Sequence, residues 1–169
     1  RHEFLNCRAA VFKLSRDSME VRVLDMQECV KMDVAIAAFV RAALKALSRR
    51  VLAGDVELPD HRILVEDFHA TIRSGTKARV RAPHLTPSAA LGPVRPVLET
   101  LVEMARETIR ADEAPYLDLV ARIPRRGTLS ERIAARLRPH LADEHRFTDA
   151  ARPVYVELTE CLPSNTPWD

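Results

Sequence analysis

Glycine and cysteine are scarce in this chain, with four glycines and three cysteines among 169 residues. So few glycines leave no glycine-rich loop to cradle phosphates. Cys7, Cys29 and Cys161 lie far apart without a C-x-x-C pair. A disulfide scaffold is therefore not expected, and a reducing cytoplasm is the expected compartment. Long apolar runs are missing too. The longest, Val34 to Val40, falls far short of the ~20 residues that cross a bilayer, so no membrane partner is expected. Neither sign of charge dominates: 26 Lys and Arg stand against 24 Asp and Glu, for a net charge of +2. The two signs are interspersed, without the basic face of a duplex-binding domain, so no nucleic-acid partner is expected. The opening residues do not read as a signal peptide. They start with Arg1 instead of Met, and a fragment of a longer polypeptide is expected.

What is present is a globular composition, 47% hydrophobic and 30% charged. At this length roughly 70% of the unfolded surface can be buried, so residues 1–169 are expected to form one domain. Leu5 to Leu14 is rich in strand formers, Ser15 to Ser18 supplies turn chemistry, and Met19 to Leu24 alternates apolar and charged side chains. This pattern predicts a β-hairpin. From Asp33 to Leu52 the apolar residues Ile36, Phe39, Val40, Ala43, Leu44, Leu47 and Val51 recur at helical spacing, with Asp33 as cap and Gly54 as stop. Asp60 to Ser74 predicts a second helix ending at Gly75, and Lys77 to Ala82 a short edge strand or extended arm. A third helix should begin near Val97 and run to about Arg110. Shorter ones are expected over Tyr116 to Ile123, Thr128 to Leu137 and Pro153 to Leu162, with Thr128 and Glu131 forming a capping box. The fold class is α+β: an antiparallel β-hairpin followed by five or more helices. Two strands do not make a stable sheet alone, so further strands are expected upstream.

The segment with most chemistry is Met19-Glu20-Val21-Arg22-Val23-Leu24-Asp25. In a strand, Glu20 and Arg22 share one face about 7 Å apart. A carboxylate offers oxygen to Mg²⁺ and a guanidinium neutralises phosphate oxygens, a pairing suited to ATP-dependent phosphoryl transfer. The plainer reading of the same spacing is a solvated ion pair.

The run from Phe4 to Leu47 resembles the glutamate-cysteine ligase and carboxylate-amine ligase family, in its C-terminal half. It does so through Leu5-Asn6-Cys7-Arg8-Ala9-Ala10, through Met19 to Cys29, and through the alanine-rich helix that follows. Gly127 to Ile133 and Val154 to Leu162 are also similar. The resemblance implies a glutamine-synthetase-like antiparallel sheet with helices outside it and ATP and Mg²⁺ within. It implies that a substrate carboxylate is phosphorylated by ATP and then attacked by an amine to give an amide, as in glutathione biosynthesis. Small carboxylate and amine substrates would be the partners. Glu20 matches the metal-binding carboxylate and Arg22 the arginine that steadies the transferring phosphate, as a catalytic residue. Asn6 and Arg8 match polar positions of the preceding strand that face nucleotide or substrate. The family's N-terminal strands, with further metal-binding glutamates, are absent from this sequence. That missing half is therefore an expected partner, and self-association through an uncovered hairpin is a further expectation.

If Ser15 and Ser18 flank a two-residue turn, Arg8 lies opposite Asp25 and faces away from Glu20 and Arg22. A bulge or a three-residue loop is therefore expected. Other candidates are weaker. His140 and His145 stand five apart, where a zinc-protease helix needs four, and no metal is expected there. Cys29 sits where a helix start could lower a thiol pKa, although a packing role is the plainer reading. Arg125-Arg126 beside Gly127 could meet a phosphate or simply form a solvated loop. The functional expectation is an ATP-dependent ligase of the glutamate-cysteine ligase type. The alternative is a non-catalytic helical protein-interaction module derived from such a ligase.

Overall fold

Strand formers, turn residues and helical periodicities follow one another along the chain, and the computed structural model places an element at each. It describes residues 4–6, 9–85, 90–142 and 144–168. The expected hairpin is a three-stranded antiparallel meander, β1 (Phe4–Asn6), β2 (Ala10–Lys13) and β3 (Ser18–Val21), in the order β1-β2-β3. The run read as one strand from Leu5 to Leu14 is thus two. In place of the expected bulge or three-residue loop there is a four-residue loop, because Lys13 pairs with Ser18. A 3-10 turn over Leu14–Arg16 and a left-handed Asp17 (φ 44°, ψ 42°) close it. Aspartate tolerates that conformation better than most residues. Arg8 lies outside the described residues.

Helix α1 (Val30–Ala53) is the spine. Its sequence stripe of Ile36, Phe39 and Leu44 suggests a bulky core face. The side buried most deeply is instead the alanine side: Met32, Ala35, Ala38, Ala42, Ala43 and Ala46, while Leu44 stays exposed. Small side chains let neighbouring helices approach closely, and Ile36 and Phe39 flank the contact. Against this face pack α3 (Val94–Arg106) and α4 (Ala114–Val120), through Val102, Ala105, Leu117 and Val120. The Thr108 hydroxyl donates to the buried Ala42 carbonyl at 2.6 Å and ties the exit of α3 to α1. Gly54 ends α1 in the left-handed conformation (φ 80°), its N–H donating to the Arg50 and Val51 carbonyls, as expected. The helix starts earlier than its apolar pattern suggests. Asp33 lies in its first turn, accepting from the Gln27 N–H at 2.9 Å.

Helix α2 (His61–Ser74) begins at Asp60, whose carboxylate accepts from the Arg62 N–H at 2.7 Å. The expected edge strand is short: β4 (Arg79–Val80) pairs with β5 (Gly92–Pro93). Ala78, Val80 and Ala82 are buried beneath Val94 and Val97, as their alternation suggests. Helix α3 starts at Val94, ahead of Val97, because proline is tolerated in a first helical turn. The short α5 (Ile123–Arg126) and α6 (Leu129–Leu137) follow. Helix α7 (Glu144–Ser164) runs through Pro153, where a start was expected. Phe147, Ala150 and Ala151 before that proline, and Val154, Leu158 and Cys161 after it, share one cluster. That packing outweighs the ~3 kcal/mol cost of an interior proline.

The capping box at Thr128 and Glu131 is present, and Glu131 also reaches outside its own helix. Its carboxylate accepts from the Thr128 N–H at 2.8 Å and from the Thr76 hydroxyl at 2.9 Å. Gly75 (φ 51°) stands so close that a Cβ there would come within 2.9 Å of this carboxylate. Partial burial raises the Glu131 pKa, but bonds from Thr128 and Thr76 outweigh it and hold the carboxyl below its ordinary value. A folded-state pKa below the unfolded one adds stability above the unfolded value of about 4.3, and that stability is lost as pH falls through the folded value. Glu131→Gln is expected to cost about 1–2 kcal/mol at pH 7. Urea midpoints at pH 7 and pH 3 check this, with the difference from the parent shrinking at pH 3.

Residues 165–168 return across the start of α1 as a strap. The Asn165 side chain accepts from the Lys31 N–H at 2.7 Å, capping a helix whose own N-cap, Cys29, makes no side-chain bond. Trp168 is buried among Cys29, Met32, Leu137, Val154 and Cys161. Its N–H donates to Glu28 Oε1 at 3.1 Å and its indole N–H to Glu157 Oε2 at 3.0 Å. Among the described residues no helix is long and apolar enough to cross a membrane.

Candidate functional site

The charged face of the meander follows from its register. Val11 pairs with Glu20 and Lys13 with Ser18, so alternation sets Lys13 and Glu20 on one face. Arg22 joins them two residues on, its N–H still donating to the Ala9 carbonyl at 2.9 Å although β3 ends at Val21. Glu20 bridges two cations: Lys13 Nζ lies 2.9 Å from Oε2 and Arg22 Nε 2.9 Å from Oε1. All three side chains are partly exposed, at 30%, 40% and 48% for Lys13, Glu20 and Arg22. Hydrogen bonds from Lys13 and then Arg22 hold the Glu20 carboxyl below its ordinary pKa.

Sequence spacing identifies Glu20 and Arg22 as neighbours, and the structure brings them together. The spacing within β3 does not name Lys13, which comes from the neighbouring strand β2. Both the two-residue turn and the observed four-residue loop set Lys13 on the face of Glu20, directly opposite it in the first and diagonal to it in the second. Asn6 pairs with Val11, which pairs with Glu20, so the three occupy one row across the sheet. Asp25 lies beyond the end of β3 and is not drawn to this face; its carbonyl accepts from the Gln27 amide.

The arrangement puts two positive groups, fixed by one carboxylate, on an accessible strand face. Such a face can neutralise an anionic group such as a transferring phosphoryl. Among the described residues no three His, Cys, Asp or Glu side chains converge to hold a metal ion. Cys29 is fully buried and packs with Cys161, whose thiol burial pushes up, the behaviour of packing cysteines.

The model of glutamate-cysteine ligase family 2 matches residues 2–151. An uncharacterized protein of Archaeoglobus fulgidus is 30% identical over 163 residues, or 96% of this chain. The matched part is 37% of that relative's length. No solved structure matches the chain.

Proposed function

Because the chain belongs to glutamate-cysteine ligase family 2, we propose that it is the C-terminal part of an ATP-dependent ligase joining a carboxylate to an amine, with glutamate and cysteine as first candidates. The observation that supports this reading is the sheet face on which Glu20 aligns Arg22 and Lys13. In the reaction a substrate carboxylate oxygen attacks the γ-phosphorus of ATP and ADP leaves. The amine nitrogen then attacks the acyl carbon, phosphate departs, and the amine loses a proton as the amide forms. The guanidinium of Arg22 and the ammonium of Lys13 would neutralise the phosphoryl oxygens as charge moves between them. Asn6, in the row of Glu20, stays in this reading as a contact to nucleotide or substrate.

The resemblance also implies Mg²⁺, which takes octahedral oxygen ligands. Glu20 alone does not fit such a site: both its oxygens are engaged by cations, and no other carboxylate joins it among the described residues. No step is therefore routed through the metal, and Glu20 acts as a positioning residue for Arg22 and Lys13. A metal role for it requires carboxylates from elsewhere in a longer polypeptide.

The test is ADP release from Mg²⁺-ATP by the longest natural polypeptide carrying this sequence, with glutamate and cysteine supplied together and singly. Release should require the acid, and amide formation both. Glu20→Gln is expected to lower turnover at least about 10-fold, by loosening Arg22. It should leave Tm within about 4 °C, because exposed ion pairs contribute about 0–1 kcal/mol. Parent-like turnover in Glu20→Gln would remove the sheet face from the mechanism. No turnover, together with no protection by Mg²⁺-ATP against unfolding, favours the non-catalytic interaction module.

A further inference from the structure

Helix α2 is amphipathic, yet none of its residues is fully buried. Its apolar residues Leu64, Val65, Phe68 and Ile72 recur at i, i+1, i+4 and i+8, which makes one stripe along the helix. The side that packs on β4 is a different one. There Asp67 accepts from the Arg81 and Ala82 N–H groups at 3.0 and 2.9 Å, and Ala70 packs against the cluster of Val80, Val94 and Val97. Among the described residues the stripe belongs to none of the packed clusters. Ile72 is 64% exposed and Leu64 37%, with Val65 and Phe68 half-buried between them. An apolar stripe on a surface helix ordinarily faces a core, and a contiguous exposed one marks an interaction surface.

The charges beside the stripe specify what can cover it. Arg62, Glu66, His69 and Arg73 follow at i, i+4, i+7 and i+11, a row along one edge of the stripe. Glu66 is ion-paired with Arg81, which cancels the single acid of the row. Arg62 and Arg73 are exposed and hold no ion pair among the described residues. The other edge carries Asp67, already bonded to two amides, and Thr71, whose hydroxyl donates to the Phe68 carbonyl. An apolar stripe with cations along one edge is complementary to an apolar stripe edged with anions. A second copy of this helix does not offer that. Antiparallel pairing across a two-fold axis sets basic row against basic row, and parallel pairing sets it against Asp67 and Thr71, whose side chains are already bonded. A bilayer surface fits less well, because an interfacial helix spreads Lys and Arg over its whole polar face, whereas part of that face of α2 is turned to β4.

We propose that the outer face of α2 docks an amphipathic helix of another protein, its apolar residues on Leu64, Phe68 and Ile72 and its Asp or Glu side chains on Arg62 and Arg73. The surface shares no residue with the Lys13, Glu20 and Arg22 face and does not depend on the ligase reading.

The experiment titrates the 169-residue chain into a dilute fluorescein-labelled synthetic helix with leucine at alternating three- and four-residue spacing and glutamate beside each leucine, reading anisotropy. The same peptide with lysine for glutamate is the control. Saturable binding of the acidic peptide is expected at low salt with a midpoint on the order of 10 μM, and at least about 10-fold weaker binding of the basic one. Ile72→Ser, at an exposed position outside the clusters, should weaken the acidic peptide by about 10-fold or more. Arg62→Glu with Arg73→Glu should reverse the preference between the two peptides. The proposal is overturned by no saturation up to about 1 mM, by equal affinity for both peptides, or by an unchanged midpoint in Ile72→Ser. A dimer of the chain alone that Ile72→Ser dissolves would assign the face to a second copy instead. Capture by phosphatidylserine–phosphatidylcholine vesicles, without peptide binding, would assign it to a membrane surface.

Discussion

Arg22→Ala in the complete ligase is expected to lower turnover by at least about 100-fold while leaving Tm nearly unchanged. The size of the first effect comes from charge. Phosphoryl transfer spreads negative charge over oxygens that a fixed guanidinium meets without reorganisation, and removing one such donor typically costs 10²–10³ in kcat. The small size of the second comes from exposure. The Arg22 side chain is 48% exposed and its ion pair with Glu20 is solvated, so its loss costs about 0–1 kcal/mol. Its backbone N–H still bonds the Ala9 carbonyl, and alanine keeps that bond. Arg22→Lys separates charge from geometry: a lysine keeps the charge but not the planar fork, and partial recovery is expected. A rise in KM with kcat intact would assign Arg22 to ground-state binding instead of the chemical step.

How much of this was legible in the sequence depended on whether a feature was local. The Thr128 and Glu131 box and the Gly54 stop rest on contacts within four residues, and each lies where the sequence pattern sets it. The hairpin register is not local in that sense. Ser15 and Ser18 both suit a tight turn, yet the pairing of Lys13 with Ser18 makes a longer loop and sets Val11 opposite Glu20, with Lys13 diagonal to it on the same face. The buried face of α1 escapes the sequence pattern for a related reason. Periodicity marks the bulky residues, whereas close helix packing selects the alanines, and only the partners α3 and α4 reveal that choice. Glu28 was legible only as a charge in a loop. Its burial depends on Arg132 and Trp168, more than a hundred residues away in sequence.

Trp168→Ala is expected to destabilise the chain by about 3–5 kcal/mol, the range for removing a large buried aromatic side chain. The indole is 6% exposed and packs on Cys29, Met32, Val154 and Cys161, joining the start of α1 to α7. Arg132 and Arg136, one turn apart on α6, both lie over its ring, at 5.5 and 5.4 Å from the centroid. Arg136 makes a two-pronged ion pair with Glu157, at 2.9 Å for both bonds, and Glu157 also accepts the indole N–H. Removing the ring therefore opens a cavity, uncovers two guanidinium faces and frees one carboxylate contact together. For a chain of this length the loss corresponds to roughly 10 °C in Tm. Trp168→Phe keeps most of the apolar volume and loses the indole N–H, so about 1–2 kcal/mol is expected for it. Urea unfolding of both variants measures the pair. A loss below about 1 kcal/mol in Trp168→Ala would mean that residues 165–168 detach from the helices in solution. The Lys31 N–H would then lose its Asn165 cap in the parent as well, and native-state hydrogen exchange at Lys31 distinguishes a docked strap from a frayed one.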